Sequence, residues 1–250
     1  VPGAIFVVAG SNRGQQGPVA ALVSSAGWAS AAERVLGRAW IATPSGIWKP
    51  ADARRWGSDP SLSSGRPRAL RRRLPVPVKT AAKDLRNWAI ARRFQLDPHG
   101  PWAGDEIKFV WQRHELFQQA GLRLADQLGV PSVLFVPATI VWQDDQWGTR
   151  RPGWGRWLER SGDGQALRSA DLVACGTSAV AEQVERLGVA PARILITPTG
   201  ADLTLFERGT DRASTRRRLG LDDRFVVGWV GSFRRFHGVE QAVRAAAAVD

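Results

Sequence analysis

"IKFVWQRHELFQQAGLRLADQLGVPSVLFVPA", residues 107–138, decides the fold class. Residues 107–114 open with Ile107, Phe109, Val110 and Trp111, the aromatic and β-branched members that suit a strand. The following segment, 115–129, sets Leu116, Phe117, Ala120, Leu124 and Leu128 at helical spacing, and Gly129 ends it. Residues 131–138 return to a continuous apolar run, as in a strand covered on both faces. Strand, helix and strand in so short a stretch make the βαβ unit of a parallel sheet.

The same alternation extends in both directions. "AIFVVA" at 4–9 reads as a buried strand, followed by the glycine-bearing loop and helix "GSNRGQQGPVAALVSSAG". "RAWIATP" at 38–44 reads as a second strand. Downstream, "ADLVACG" reads as a strand, and Thr177 is placed to cap the helix "SAVAEQVERLG". "ARILITPTG" and "RFVVGWVG" complete the series of strands, the latter leading into the alanine-rich helix "GVEQAVRAAAAVD". The fold class expected is α/β, a Rossmann-like doubly wound, mostly parallel sheet with its ligand crevice at the carboxyl ends of the strands. Residues 49–75, rich in Arg, Pro, Ser and Gly, break the alternation and read as a loop excursion.

Composition narrows the partners. The net charge of +12 comes almost entirely from arginine and favours anionic ligands, although an arginine bias also follows from GC-rich coding DNA. The arginines are spread over loops and no nucleic-acid motif appears, so no nucleic-acid partner is expected. A single cysteine, Cys175, excludes an internal disulfide and fits a cytoplasmic location. No apolar run approaches the roughly 20 residues that span a bilayer. His99, His114 and His237 are too scattered for a zinc pattern, and Asp144 and Asp145 lack a metal-binding Asp-x-Asp spacing, so no metal is expected. Trp142, Trp147, Trp154 and Trp157 read chiefly as helix-packing and arginine-stacking residues.

Two segments expose chemistry at strand ends. Arg113 and His114 close a strand at its carboxyl edge, where the sheet faces its crevice; contact with an acceptor or donor competes there with simple capping of the next helix. Gly10, Gly14 and Gly17 follow the first strand and permit close backbone approach to a phosphate, although they match neither the Walker nor the dinucleotide glycine pattern.

Three stretches together resemble the GT-B glycosyltransferases of family 4, retaining enzymes that use nucleotide sugars. "ADLVACGTSAVAEQVERLGVAPARILITPTGADLTLF" at 170–206 is similar to the family's strand, helix, "LGV-P-RI" and "P-N-G-V-D" run; 109–138 is similar to its strand, Arg, helix and "LG-P-V" segment. "VVGWVGSFRRFHGVEQAV" at 226–243 looks like the first strand, turn and helix of the donor-binding domain. The resemblance implies an N-terminal acceptor-side domain over 1–196, and over 197–250 an interdomain segment with the start of a truncated donor-binding domain. The fragment itself is then expected to be inactive.

By the same resemblance, the complete protein transfers a sugar from a nucleotide-diphospho-sugar to a glycan or lipid-linked acceptor with retention, and the donor is a substrate with no further cofactor. Donor-binding positions are implied at Gly14 and Gly17 and at Gly231, Ser232, Arg234, Arg235 and His237. The family's donor turn carries an arginine and a lysine where this chain has Ser232 and His237, so Arg234 or Arg235 is left to supply the cation. That departure keeps a rival open, a non-catalytic nucleotide- or polyanion-binding Rossmann-like domain. Finally, "VKTAAKDLRNWAIARRF" from Val78 sets Ala81, Leu85, Trp88 and Ala89 on one helix side and Lys79, Lys83, Arg86 and Arg93 mostly on the other. This pattern suits either a peripheral anionic-membrane contact or a helix packed on the sheet by its apolar stripe.

Overall fold

The computed structural model describes residues 1–9, 20–52, 75–147, 150–201, 211–222, 224–230, 233 and 237–248. They divide into two compact units, Val1–Thr199 and Gly200–Asp250.

The first unit is built on a seven-stranded sheet. In chain order its strands are β1 (Pro2–Val7), β2 (Arg38–Thr43), β3 (Gly46–Trp48), β4 (Glu106–Arg113), β5 (Ser132–Val136), β6 (Leu172–Cys175) and β7 (Ile194–Ile196). Their order across the sheet is β3-β2-β1-β4-β5-β6-β7. All neighbours run parallel except β3, which pairs antiparallel with β2 as Ile41↔Trp48 and Thr43↔Gly46. The expected mostly parallel sheet is therefore present, with one short antiparallel edge strand that its three residues gave little sign of.

Alternate residues of β1 feed opposite layers, as a doubly covered strand requires. Ala4, Phe6 and Val8 pack with the helix α1 (Ala20–Leu36) through Leu22, Ala26 and Ala29. On this face Phe6, Trp111 and Phe135 form an aromatic row across β1, β4 and β5, with centroids 5.3 and 5.4 Å apart. Ile5 and Val7 face the other way, against Trp102, Phe94 and the helix α3 (Ala120–Leu128) through Ala120, Leu124 and Ala125. Leu134, Val136, Val173 and Cys175 continue that core towards the helix α7 (Ser178–Arg186), whose N-cap Thr177 accepts from the Val180 N–H as expected.

The start of β6 is tied to that of β5. Asp171 Oδ2 accepts from Ser132 N at 2.8 Å and Oγ at 2.7 Å, and these bonds, the backbone one foremost, hold its carboxyl below the ordinary range. A lowered carboxylate stabilises the fold above its unfolded value and loses that contribution as pH falls through the folded one. Asp171→Asn should accordingly destabilise in urea unfolding at pH 7, by an amount that shrinks as pH drops below the carboxylate range. An effect independent of pH would contradict this assignment.

Two helices depart from expectation. The segment expected to be helical from Glu115 starts its helix at Ala120, because Gln112, buried within β4, holds the intervening loop. Its Nε2 donates to the Gln118 carbonyl at 2.7 Å, and its Oε1 accepts from the Gly121 N–H at 2.7 Å. Phe117 takes a left-handed φ of 70° in that loop, a conformation costly without glycine. Gly129 does end the helix, at φ 65°.

The helix α2 (Val76–Arg93) forms, but it buries Thr80, Asp84 and Ala91 rather than the apolar stripe. Leu85 is 64% exposed and Trp88 42%. The cause is an ion pair made in tertiary structure: Arg151, 1% exposed at its side chain, donates to Asp84 through Nε at 2.8 Å and Nη2 at 3.0 Å. Trp154 Nε1 adds a third bond to Asp84 at 3.1 Å, and Asp144 Oδ2 lies 2.9 Å from Arg151 Nη1. Asp144 comes from the helix α4 (Ile140–Trp147), so its role is structural pairing.

A run of helix follows: α5 (Gly155–Leu158), a π-helical turn (Glu159–Asp163) and α6 (Gly164–Ser169).

In the second unit, α8 (Arg212–Leu219) and α9 (Val239–Ala247) are helical. The strand expected over 224–231 is corrected: residues 224–230 have no strand structure, and Phe225, Val226, Val227, Trp229 and Val230 are exposed. Their apolar run suits a sheet, but a strand needs a hydrogen-bonded neighbour, and among the described residues none pairs with them. Of the strand and helix expected over 226–250, the helix α9 is the one present among the described residues.

Candidate functional site

In a doubly wound sheet, ligands bind beyond the carboxyl ends of the strands where the strand order reverses. Here the order turns between β1 and β4, and β4 ends there in Arg113, followed by His114 and Glu115. His114 is anchored to the sheet by its own N–H, which donates to the Phe135 carbonyl at 2.8 Å. Its imidazole is completely buried, and its Nε2 lies 2.7 Å from Oδ1 of an equally buried Asp163. The second carboxylate oxygen accepts from the Val141 N–H at 3.1 Å. Asp163 thus joins three elements: the end of β4, the first turn of α4 and the π turn that carries it.

Arg113 pairs with Phe135 in the β4–β5 register and holds its guanidinium 6.0 Å from that ring. Burial lowers its pKa, and Glu115, with Oε1 3.9 Å from Arg113 Nε, opposes the change. For Glu115 itself burial is again the leading cause and pushes the carboxyl up, against the charge of Arg113 foremost and of Lys83. A cation and a carboxyl, both less willing to be charged than in water, therefore sit side by side at the crevice edge.

Among the described residues, six buried side-chain polar atoms lack a hydrogen-bond partner: Arg113 Nε, His114 Nδ1, Gln118 Oε1, Thr139 Oγ1, Arg151 Nη1 and Thr197 Oγ1. Arg151 Nη1 still has the charge of Asp144 beside it. The other five belong to the last residue of β4 or to residues just beyond β4, β5 and β7. Native interiors seldom leave such groups unpaired. These five all lie on the carboxyl side of the sheet.

Of the residues singled out in the sequence, Arg113 and His114 are therefore brought together at the reversal point. Gly14, Gly17, Gly231, Ser232, Arg234 and Arg235 lie outside the described residues. His237 belongs to the second unit, where its ring lies 5.8 Å from that of Trp229, just before α9. Sequence reasoning missed Asp163, Gln112, Glu115, Gln118 and Thr139. A signal existed for Asp163, which stands between two glycines in "SGDGQ", and for Gln112, a lone amide inside an apolar strand.

No protein-family model matches the chain. Among curated proteins it is similar to D-inositol 3-phosphate glycosyltransferase 1 of Catenulispora acidiphila, 33% identical over 154 residues, covering 58% of this chain and 35% of the relative. It is 38% identical over 90 residues to the D-inositol 3-phosphate glycosyltransferase of Actinosynnema mirum and 40% over 88 residues to that of Acidothermus cellulolyticus, covering 35% and 34% of this chain. The matched stretch spans about a third or less of each of these relatives' own lengths. Among solved structures, Anabaena HepE with UDP and glucose aligns over 98% of this chain and 57% of its own, at 12% identity and a TM-score of 0.47. The chain is thus associated by sequence with glycosyltransferases and carries a mostly parallel Rossmann-like sheet.

Proposed function

We propose that this chain belongs to the acceptor side of a glycosyltransferase of GT-B architecture. Its 1–196 part is the acceptor-side domain and 197–250 leads into the donor-binding domain. The complete enzyme moves a sugar from a nucleotide-diphospho-sugar to an acceptor with retention of configuration. The observation that carries this reading is the row of unpaired buried polar atoms beyond β4 and β5 at the strand-order reversal, in a chain similar to named glycosyltransferases. Arg113 and His114 serve the acceptor. Gly14, Gly17, Gly231, Ser232, Arg234, Arg235 and His237 serve the donor phosphates, through backbone donors and one arginine charge.

A glycan or lipid-linked glycan is one acceptor class. A phosphorylated polyol is the second, favoured by the relatives' names and by the guanidinium charge of the partly buried Arg113 at the end of β4. Saturation-transfer NMR on the 250-residue chain, with D-inositol 3-phosphate, a neutral oligosaccharide and a set of nucleotide sugars, tests the reading. It is supported by a signal from one acceptor class that Arg113→Ala weakens by about tenfold or more. Equal binding of any polyanion, with no response to sugars, would replace it by the non-catalytic polyanion-binding domain.

The second partner we propose is an anionic membrane surface, met peripherally from the cytoplasmic side. No helix among the described residues is long and apolar enough to cross a bilayer. On α2, however, Val76, Val78, Leu85 and Trp88 are exposed beside Lys83, Arg86, Arg92 and Arg93, with the Arg92 guanidinium 4.7 Å from the Trp88 ring. Packing on the sheet, the competing use of that stripe, is not what the helix does. Each basic residue near an acidic surface adds about 1 kcal/mol. Co-sedimentation with phosphatidylserine-containing vesicles should exceed that with neutral vesicles, fall with salt, and drop further in Leu85→Ala/Trp88→Ala. Equal sedimentation with both compositions would remove the membrane from the account.

A further inference from the structure

We infer that the cavity between the π turn, α6 and the end of α7 is a binding site for a small soluble molecule that carries a phosphate monoester. It is separate from the crevice at the carboxyl ends of the strands, and it stands whatever ligand that crevice takes.

The cavity has a volume of about 580 Å³ and is bordered by three arginines, Arg160, Arg168 and Arg186, together with Gln183 and one carboxylate, Glu159. That is the size of a small-molecule site. Its place follows from the topology. α7 leaves the carboxyl end of β6 and leads into β7, which runs parallel to β6, so its last turn lies towards the amino ends of the strands with Arg186. α6 ends at Ser169, just before β6 begins at Leu172, and brings Arg168 to the same side. Arg113, His114 and Glu115 do not line this cavity.

A chain with 35 basic and 23 acidic residues leaves many arginines unpaired, so exposure alone does not make a site. These three border one space, and two of them are held in a fixed orientation. Arg168 donates through Nη1 to the Leu187 carbonyl at 2.9 Å and through Nη2 to the Arg160 carbonyl at 3.3 Å. It runs between two glycines: a Cβ on Gly164 would stand 2.7 Å from Nη1, and one on Gly188 3.4 Å from Cδ. Arg186 donates through Nε to Gln183 Oε1 at 2.7 Å, and its Nη donors take no further partner among the described residues.

Charge then selects the ligand. None of the three arginines makes an ion pair among the described residues. Glu159 does not neutralise them: burial foremost, then the charges of Asp163 and Asp145, raise its carboxyl in spite of Arg156 and Arg160. The end of α7 carries roughly half a negative charge, which one arginine answers. Three guanidiniums facing one carboxylate leave an excess of two positive charges. A phosphate monoester carries about −1.5 to −2 at pH 7 and offers three acceptor oxygens to guanidinium donors. Glu159 and the amide nitrogen of Gln183 remain for hydroxyls on the rest of the molecule.

Glucose 6-phosphate is a suitable probe for the 15N-labelled 250-residue chain. It should shift the backbone amides of Arg160, Leu187 and Gly188 and leave those of Arg113 and His114 in place. Glucose at the same concentration and sulfate at the same ionic strength should not. Arg160→Gln/Arg186→Gln changes two exposed side chains and should weaken binding by about tenfold or more. Arg217→Gln/Arg218→Gln, which removes as much charge from α8, should leave it unchanged.

No shift at these amides, or equal shifts with sulfate, overturns the inference. Shifts at Arg113 and His114 that persist in Arg160→Gln/Arg186→Gln would put the ester in the crevice, overturning the inference while leaving the proposed function standing. Vesicles containing phosphatidic acid probe the other source of the same group. Sedimentation with them that the Arg160→Gln/Arg186→Gln variant loses, without any response to glucose 6-phosphate, would give the arginines to a lipid headgroup and overturn the soluble ligand.

Discussion

Arg151→Ala is expected to lower the stability of the first unit by about 3–5 kcal/mol, the range seen when one partner of a buried ion pair is removed. The side chain of Arg151 is 1% exposed and serves two carboxylates, Asp84 on α2 and Asp144 on α4. Burial by itself would lower the arginine's pKa. The hydrogen bond and charge of Asp84, joined by Asp144, outweigh that and raise it. Truncation leaves Asp84, with an 8% exposed side chain, holding only the indole N–H of Trp154. Urea unfolding should show a lower midpoint with an unchanged slope, and amide exchange should quicken first across residues 76–93. The double substitution Asp84→Leu/Arg151→Met removes both charges together and should recover most of the loss, since buried pairs rarely outperform packed apolar groups. A single variant within about 0.5 kcal/mol of wild type would show that α2 is held by something else.

That ion pair also explains where the sequence could be read and where it could not. Periodicity on α2 identified a helix and an apolar stripe, and both exist. Which side faces inward was decided by a partner 67 residues away, and a window along the helix cannot contain it. The sheet was legible because its strands are continuous apolar runs, a local property, and the Thr177 cap and the Gly129 stop are local too. Strand order is not local, so the reversal between β1 and β4 that gives Arg113 and His114 their place had to come from the structure. Residues 225–230 show the reverse failure. Their composition is that of a strand, but pairing belongs to the neighbour as much as to the segment.

The site divides in the same way. His114 was visible as the polar end of an apolar strand. Asp163, 49 residues further on, was hidden inside a glycine-flanked helical segment whose π turn no pattern announces. A buried carboxylate needs partners, and finding them requires the fold.

Gln112→Leu is expected to have the second largest effect, and it connects the stability of β4 with the site at its end. The substitution roughly preserves volume in a position that is completely buried. What it removes is the pair of bonds to the Gln118 carbonyl and the Gly121 N–H, so two buried backbone groups lose their partners at about 1–3 kcal/mol each. Those bonds hold the loop in which Phe117 takes its left-handed φ, and a leucine gives that loop no reason to remain so. Gly121→Ala attacks the same joint from the other side: its Cβ would stand 2.9 Å from Gln112 Oε1 and 3.0 Å from Val7 Cγ2. Overpacking of that kind costs about 1–3 kcal/mol. Because each change dislodges the same loop, the double variant should lose less than the two losses added, and a double-mutant cycle measures the shortfall. The loop begins at His114, so the imidazole resonances should shift in Gln112→Leu even where the protein remains folded. Stability within about 0.5 kcal/mol of wild type, with His114 unmoved, would mean that the chain closes this loop without the glutamine. The Asp163 contact alone would then account for the position of the imidazole.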